Sequence, residues 1–96
     1  MNNFIKIKVR YLGSLSIEIT SEEEYTFDQE ISLRDLLKKL LERHEKLERV
    51  ISSKGDLKPG YMMFINEIDY QLIGLDYVFK ESSEIVIMPI SHGGDI

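Results

Sequence analysis

The sequence has 96 residues, of which 43% are hydrophobic and 30% charged, a composition typical of one globular domain rather than a disordered chain. A net charge of −5 argues against a nucleic-acid footprint, and the absence of cysteine excludes disulfides, thiolate catalysis and cysteine-based zinc sites. The sequence has neither an apolar run of membrane-spanning length nor a signal-peptide pattern, so we expect a cytoplasmic protein that contacts no membrane and no nucleic acid directly.

The first segment of the chain alternates between apolar and basic residues. One face carries Ile5, Ile7, Val9 and Tyr11, and the other carries Lys6, Lys8 and Arg10. This period of two predicts a half-buried antiparallel strand, which Gly13 and Ser14 interrupt. Apolar residues alternate again over residues 15–19, a pattern that fits either a strand or an irregular loop with apolar anchors.

Residues 21–24 predict an acidic turn, and the run Glu22-Glu23-Glu24 is expected to be a solvated loop rather than a cation or partner patch. The second strand fits either residues 15–19 or the β-prone residues 25–27, and the later position is slightly preferred because it leads directly into a helix.

The helix has the clearest local signals. Ser32 is a good N-cap with Asp35 in capping-box register, and Ile31 and Leu36 occupy the hydrophobic-staple positions. The apolar stripe at helical spacing contains Leu33, Leu36, Leu37, Leu40, Leu41 and His44. We expect His44 to face the edge of the core, and two histidines distant in sequence, without cysteine, predict no metal site.

The second half of the chain predicts an apolar strand over Tyr61–Ile65, a segment over residues 71–77 too broken for a long strand, and a final strand over residues 84–90. One helix with one apolar stripe must cover one sheet face. The predicted class is therefore α+β, a β-grasp with a mixed sheet of four to five strands on one main helix, the first and last strands being parallel central neighbours. We expect residues 1–90 to form this domain and residues 91–96 to form a flexible tail that contains the glycine pair.

From Ile5 to Gly94 the chain resembles the MoaD/ThiS branch of the ubiquitin-like superfamily, and is most similar to the ubiquitin-related modifier family. The resemblance is carried by the helix start ISLRDLL at residues 31–37, by Ile65-Asn66 with LIGLDY at residues 72–77, and by SHGG at residues 91–94.

This resemblance implies a carrier protein rather than an enzyme. The carboxylate of Gly94 would be adenylated from ATP by a ubiquitin-activating-type enzyme of the MoeB/ThiF kind, and a sulfur donor would convert it to a thiocarboxylate. Sulfur would then pass to tRNA or a similar acceptor, or the glycine would be joined to a lysine. The chain itself is expected to bind no cofactor, because ATP is used by the activating partner.

The glycine pair suits such chemistry, because a narrow, water-poor site admits an extended tail without side chains. A glycine pair near a terminus is by itself typical of a flexible end, and its position after the final strand favours the functional interpretation. Gly94 is followed by Asp95 and Ile96, so we predict that a protease removes both residues before activation. His92 and Gly93 are expected to contact the activating enzyme.

The final strand predicts a partner surface. If Ile85 and Ile87 point inward, then Val86, Met88 and Ile90 point outward on the same sheet. Two interpretations remain open for these outward residues: a surface that docks the activating enzyme, or a surface covered by the irregular segment of the 70s.

Two other functions remain open from the sequence. The chain fits the small subunit of molybdopterin synthase, paired with a MoaE-like subunit, and it fits a non-activated β-grasp interaction module. The sequence offers no set of acid, base and nucleophile for an active site of its own.

Overall fold

The computed structural model describes residues 4–90, and within them a five-stranded mixed sheet packs on one main helix. The elements in chain order are β1 (Ile5–Tyr11), α1 (Leu15–Glu18), β2 (Glu22–Phe27), β3 (Ile31–Ser32), α2 (Leu33–Arg43), a 3₁₀ helix (Glu45–Arg49), β4 (Tyr61–Ile65), β5 (Ile68–Asp69), α3 (Tyr70–Ile73), β6 (Val78–Phe79) and β7 (Ser83–Pro89).

The sheet has the strand order β2-β1-β7-β4-β5, and the short strands β3 and β6 pair separately. β1 and β7 are parallel, with Val9 opposite Ile85, whereas all other pairs are antiparallel. The first and last strands are therefore parallel neighbours in the centre of the sheet, which confirms the β-grasp prediction.

Helix α2 begins where its sequence signals place it. The Ser32 hydroxyl accepts a hydrogen bond from the backbone N–H of Asp35 at 3.1 Å, which satisfies one of the free donors of the first turn. Four leucines of the predicted stripe, Leu33, Leu36, Leu37 and Leu40, are fully buried against the sheet. The core also includes the inward residues of β1, β4 and β7, so the helix covers one face of the sheet, and no helix of residues 4–90 packs on the other.

The prediction of strand or loop for residues 15–19 is wrong. Residues Leu15–Glu18 form a one-turn helix, in which the backbone N–H of Ile19 donates to the Leu15 carbonyl at 2.9 Å. Leu15 is buried while Ile17 is 87% exposed, so only the first apolar residue anchors the turn. In a segment of only five residues, the first and last positions lie on the same face of a strand and also on the same face of a helix. The apolar pattern of the sequence therefore does not distinguish a strand from a helix here.

The position of the second strand is confirmed as the later of the two alternatives, but the acidic turn is wrong. β2 begins at Glu22, so the acidic run belongs to the strand and alternates with it. Glu22 and Glu24 are exposed on one face, while Glu23 points inward with Tyr25 and Phe27. Glu23 is therefore not part of a solvated loop.

The segment of the 70s contains no long strand, as predicted; it forms α3 and then β6. The final strand runs from Ser83 to Pro89, one residue earlier than predicted at each end. No helix among residues 4–90 has the length and apolar content required to cross a bilayer. The predicted tail, residues 91–96, lies outside the described residues.

Candidate functional site

The sheet face opposite α2 carries an apolar surface on β4 and β7. Four half-buried side chains form this surface, which we call the outer face: Met62, Phe64, Val86 and Met88. The antiparallel register places Met62 opposite Met88 and Phe64 opposite Val86, so the four form two adjacent cross-strand pairs. Ile85 and Ile87 are fully buried, so β7 divides into inward and outward residues as the sequence predicts.

The segment of the 70s lies on the helix side of the molecule. The backbone N–H groups of Leu33 and Arg34 donate to the carbonyls of Tyr77 and Leu75, at 2.8 and 3.0 Å. Ile73, Leu75 and Tyr77 pack against the core. These contacts fix the segment at the start of α2.

A charged border runs along the outer face on the β1 side. Lys6, Lys8 and Arg10 are exposed on β1, and the parallel register places Arg10 next to Val86 and Lys8 next to Glu84. An apolar centre with a polar border is the usual anatomy of a protein-binding surface.

Ile90 connects this surface to the predicted tail. Its backbone N–H donates to the Gly60 carbonyl at 2.8 Å, so the β4–β7 pairing continues one step beyond the last strand residue. Ile90 is 41% exposed, and its register places it on the same side as Met88. His92, Gly93 and Gly94 follow within four residues of Ile90, but they lie outside the described residues.

A polar cluster that the sequence did not predict lies where β2 meets the end of α2. The side chain of Glu23 is only 9% exposed, and it accepts hydrogen bonds from the hydroxyls of Tyr11 at 2.8 Å and Tyr25 at 3.0 Å. Nε2 of His44 lies 2.8 Å from Oε1 of Glu23, and because a carboxylate can only accept, the imidazole N–H donates. The Nε atom of Arg43 approaches the same oxygen at 3.5 Å.

These contacts shift the acidity of three groups. Burial alone would raise the pKa of the Glu23 carboxyl, but the hydrogen bonds from His44, Tyr11 and Tyr25 outweigh it, so the pKa lies below its ordinary value. Burial, together with the hydrogen bond to the ionised Glu23, raises the pKa of Tyr11, and burial and the charge of Glu23 raise that of Tyr25. Glu23 therefore stays ionised and both tyrosines stay neutral at neutral pH.

Within this cluster Tyr11, Tyr25 and His44 all bond to Glu23, and among residues 4–90 no buried side-chain nitrogen or oxygen lacks a hydrogen-bond partner. The same residues contain no group of three histidine, aspartate or glutamate side chains that is placed to hold a metal ion. His44 faces the edge of the core, as predicted, and its ring meets that of Tyr11 edge-on.

Nearly the whole chain matches the model of one protein family. The family model Urm1, described as ubiquitin related modifier, matches residues 6–94. Ubiquitin-related modifier 1 of Kluyveromyces lactis is 24% identical over 94% of this chain and 99% of its own length.

Solved structures give the same picture. The solution structure of the small archaeal modifier protein 1 of Methanosarcina acetivorans is 28% identical and superposes with a TM-score of 0.74, over 96% of this chain and 99% of that one. The crystal structure of Urm1 from Sulfolobus solfataricus is 25% identical, with a TM-score of 0.62, over 86% of this chain and 99% of that one.

Proposed function

The chain belongs to the ubiquitin-related modifier family, and from this premise we propose that it is a sulfur carrier and protein modifier whose reactive group is the Gly94 carboxylate. The family consists of small carrier proteins rather than catalysts. The single observation that carries the proposal is the half-buried apolar outer face, which continues to Ile90, four residues before Gly94 in the sequence.

The proposed chemistry begins with an activation step that the chain cannot perform alone. A carboxylate is a poor electrophile until one of its oxygens becomes part of a leaving group. In the proposed reaction an oxygen of Gly94 attacks the α-phosphorus of ATP and pyrophosphate leaves, within an activating enzyme of the MoeB/ThiF kind. Hydrosulfide supplied by the donor then attacks the acyl carbon, the bond from that carbon to the AMP oxygen breaks and AMP leaves, which gives the thiocarboxylate directly.

The two residues after Gly94 make processing a requirement of this proposal. While Asp95 and Ile96 remain, Gly94 has a peptide carbonyl and no free carboxylate. The match to the family model ends at Gly94, which supports Gly94 as the functional end. We therefore expect a protease to release Asp95-Ile96 before activation.

The outer face is the proposed docking surface for the activating enzyme. Half-buried apolar side chains in two cross-strand pairs offer the desolvated centre that an interface needs, and the basic row on β1 suits a partner with acidic border residues. Docking at this face delivers the tail that follows Ile90. Within that tail, Gly93 and Gly94 would enter the narrow active site of the activating enzyme, and His92 would contact the entrance of that site.

Two acceptors are compatible with an activated Gly94. A thiocarboxylate donates sulfur to tRNA or a similar acceptor, whereas the acyl-adenylate or its thioester joins the glycine to a lysine amine. Both fates require the same first step, so adenylation at Gly94 is the step to test.

The test uses purified chain that ends at Gly94, ATP, a sulfur donor and an activating enzyme from the same organism. We expect ATP-dependent formation of an acyl-adenylate, followed by a species in which one tail oxygen is replaced by sulfur, both detected by intact mass spectrometry. The full chain ending at Ile96 is the matched control and should stay unmodified. A Gly94-ending chain that no activating enzyme adenylates would contradict the proposal and favour a non-activated interaction module.

A further inference from the structure

The outer edge of β2 is a separate candidate for an interaction. β2 lies at one end of the sheet, and within residues 4–90 no strand pairs with its second side. It is a six-residue strand, whereas the strand at the opposite end, β5, has two residues and leads straight into α3.

Half of the backbone groups of β2 point toward this free side. Tyr11 donates its backbone N–H to the Ser21 carbonyl at 3.0 Å, in continuation of the β1–β2 register. Hydrogen-bonded pairs alternate along an antiparallel ladder, so every second residue after Ser21 bonds to β1 and the residues between them direct their N–H and C=O groups outward. The outward groups belong to Glu22, Glu24 and Thr26.

Of the usual protections of an edge strand, β2 keeps only charge. Edges are commonly blocked by charged side chains, by inward-pointing charges, by proline, by a bulge or by very short length, and of these β2 has the charges of its three glutamates. Residues 22–27 contain neither proline nor lysine, and the β1–β2 register is unbroken across all six pairs. The edge is therefore geometrically able to accept an added strand.

The side chains of β2 define what sequence such a strand needs. Glu22 and Glu24 are exposed on the outer side, so the added strand must place basic residues there. Tyr25 and Phe27 are half-buried on the inner side, with nearly parallel rings 6.4 Å apart. The guanidinium of Arg43 lies over the Tyr25 ring, 5.2 Å from its centroid, and the ring of Phe27 offers an apolar contact beside it. Glu23 is already fully engaged within its cluster, so it imposes no charge requirement.

The chain itself contains an example of a strand that meets these requirements. β1 pairs with β2 through Ile7 opposite Tyr25, Lys8 opposite Glu24 and Arg10 opposite Glu22. A second copy of β2 does not meet them, because antiparallel pairing centred on Glu24 places glutamate against glutamate, and directly opposed like charges are destabilising.

We infer that the free edge of β2 is a docking site for an extended segment of a partner protein in which apolar and basic residues alternate. Such a segment would add a sixth strand to the sheet, with its basic residues on Glu22 and Glu24 and its apolar residues beside Tyr25 and Phe27. This site lies on β2, whereas the outer face lies on β4 and β7, so the inference does not depend on the proposed function.

The test is a titration of the full chain with a peptide of the β1 sequence, Ile-Lys-Ile-Lys-Val-Arg, monitored by backbone amide chemical shifts. We expect saturable binding that perturbs the amides of Glu22, Glu24 and Thr26 and weakens with added salt, because the charge pairs are exposed. A control peptide with every basic residue replaced by glutamate should not bind. Absence of saturable binding, or perturbations centred on the outer face, would overturn the inference.

Two variants distinguish strand pairing at the β2 edge from non-specific binding of the peptide. Thr26→Pro removes an outward N–H without removing a bond to β1, and it should weaken the peptide about tenfold, since a partner carbonyl is left unpaired. The double variant Glu22→Lys with Glu24→Lys should reject the basic peptide and accept the glutamate control instead. If Thr26→Pro impairs folding, the charge reversal still decides, and unchanged peptide preference in the double variant overturns the inference.

Discussion

Glu23 connects three parts of the chain through one carboxylate. Its hydrogen-bond partners Tyr11 and His44 come from β1 and from the end of α2, and Tyr25 lies two residues further along β2. A nearly buried carboxylate is tolerated only when its oxygens are bonded, and here both oxygens are. The residue therefore fixes β2 against the end of the helix.

Replacement of Glu23 by alanine should leave the hydroxyl of Tyr11 and the ring N–H of His44 without their partner. We expect Glu23→Ala to lower the free energy of unfolding by about 2 kcal/mol, the usual penalty for unpaired buried polar groups. Glu24→Ala, at the exposed neighbouring position, is the matched control and should change stability by no more than about 0.5 kcal/mol. Equal effects in chemical denaturation would contradict the structural role of Glu23.

The same carboxylate should make stability depend on pH in the acidic range. Its pKa in the folded protein lies below the ordinary value of 4.5, so its contribution is fully present above that value and is lost as the pH falls through the folded pKa. We expect the melting temperature of the wild type to fall more steeply below pH 4.5 than that of Glu23→Gln, which carries no ionisable group at this position. Parallel melting curves for the two proteins across this range would contradict the assignment.

At the scale of elements, the loop after the 3₁₀ helix packs closely on the start of α2. Gly55 adopts a φ of +79°, and a β-carbon built there would lie 2.7 Å from both the backbone oxygen and the Cγ atom of Arg34. Arg34 also donates to the Lys54 carbonyl at 3.3 Å. Only glycine fits this approach, because both the backbone angle and the space exclude a side chain.

Gly55→Ala should therefore destabilise the protein by about 3 kcal/mol, the sum of left-handed strain and a clash with the helix backbone. Gly60→Ala is the control, because Gly60 also has a positive φ, of +98°, but nothing lies within 4 Å of the added carbon. It should cost about 1 kcal/mol, from strain alone. Urea denaturation of both variants separates the two terms, and equal losses would show that the contact with Arg34 contributes nothing.

The outer face of the sheet should tolerate a charge in folding but not in binding. Met88→Lys places a charge in the centre of the outer face and should weaken binding of the activating enzyme by about tenfold or more, as for a central interface residue. Because Met88 is only half-buried, the domain should remain folded. Leu72→Lys, at an 82% exposed position on α3, is the matched control and should bind normally. Equal binding of both variants in a calorimetric titration would refute the outer face as the docking surface.

The sequence predicts elements well where their signals are local. Ser32 and Asp35 are three residues apart, and the leucines of α2 repeat within two turns, so cap and stripe were both predicted from the sequence. Glu23 could not be identified in this way, because its partners Tyr11 and His44 lie 12 and 21 residues away along the chain. An acidic run looks the same whether one of its members is buried or none is.

At the scale of the whole molecule, the parallel pairing of β1 and β7 brings the two ends of the fold together in the centre of the sheet. The final strand therefore carries part of the outer face. At its end, the backbone N–H of Ile90 still donates a hydrogen bond to the carbonyl of Gly60. This arrangement was predictable from element order and from the resemblance to the ubiquitin-like branch. The tail that carries the proposed chemistry lies outside the described residues, so its functional role stays a prediction.

A substitution at Gly94 should change the reactivity of the protein but not its stability. Gly94→Val, in a chain that ends at residue 94, should abolish adenylation, because a branched side chain does not fit a channel shaped for glycine. All buried hydrophobic residues of the described core lie between Ile5 and Ile87, so the melting temperature should not change. Normal adenylation of this variant would show that the glycine is not required.

The central claim is that Gly94 becomes the free, activated end of the protein in its own cell. The most direct measurement is the intact mass of the protein isolated from its native cells during growth that demands sulfur transfer. We predict a population that lacks Asp95 and Ile96, part of which carries sulfur in place of one oxygen at Gly94. A population that uniformly retains Ile96 under these conditions would contradict the claim.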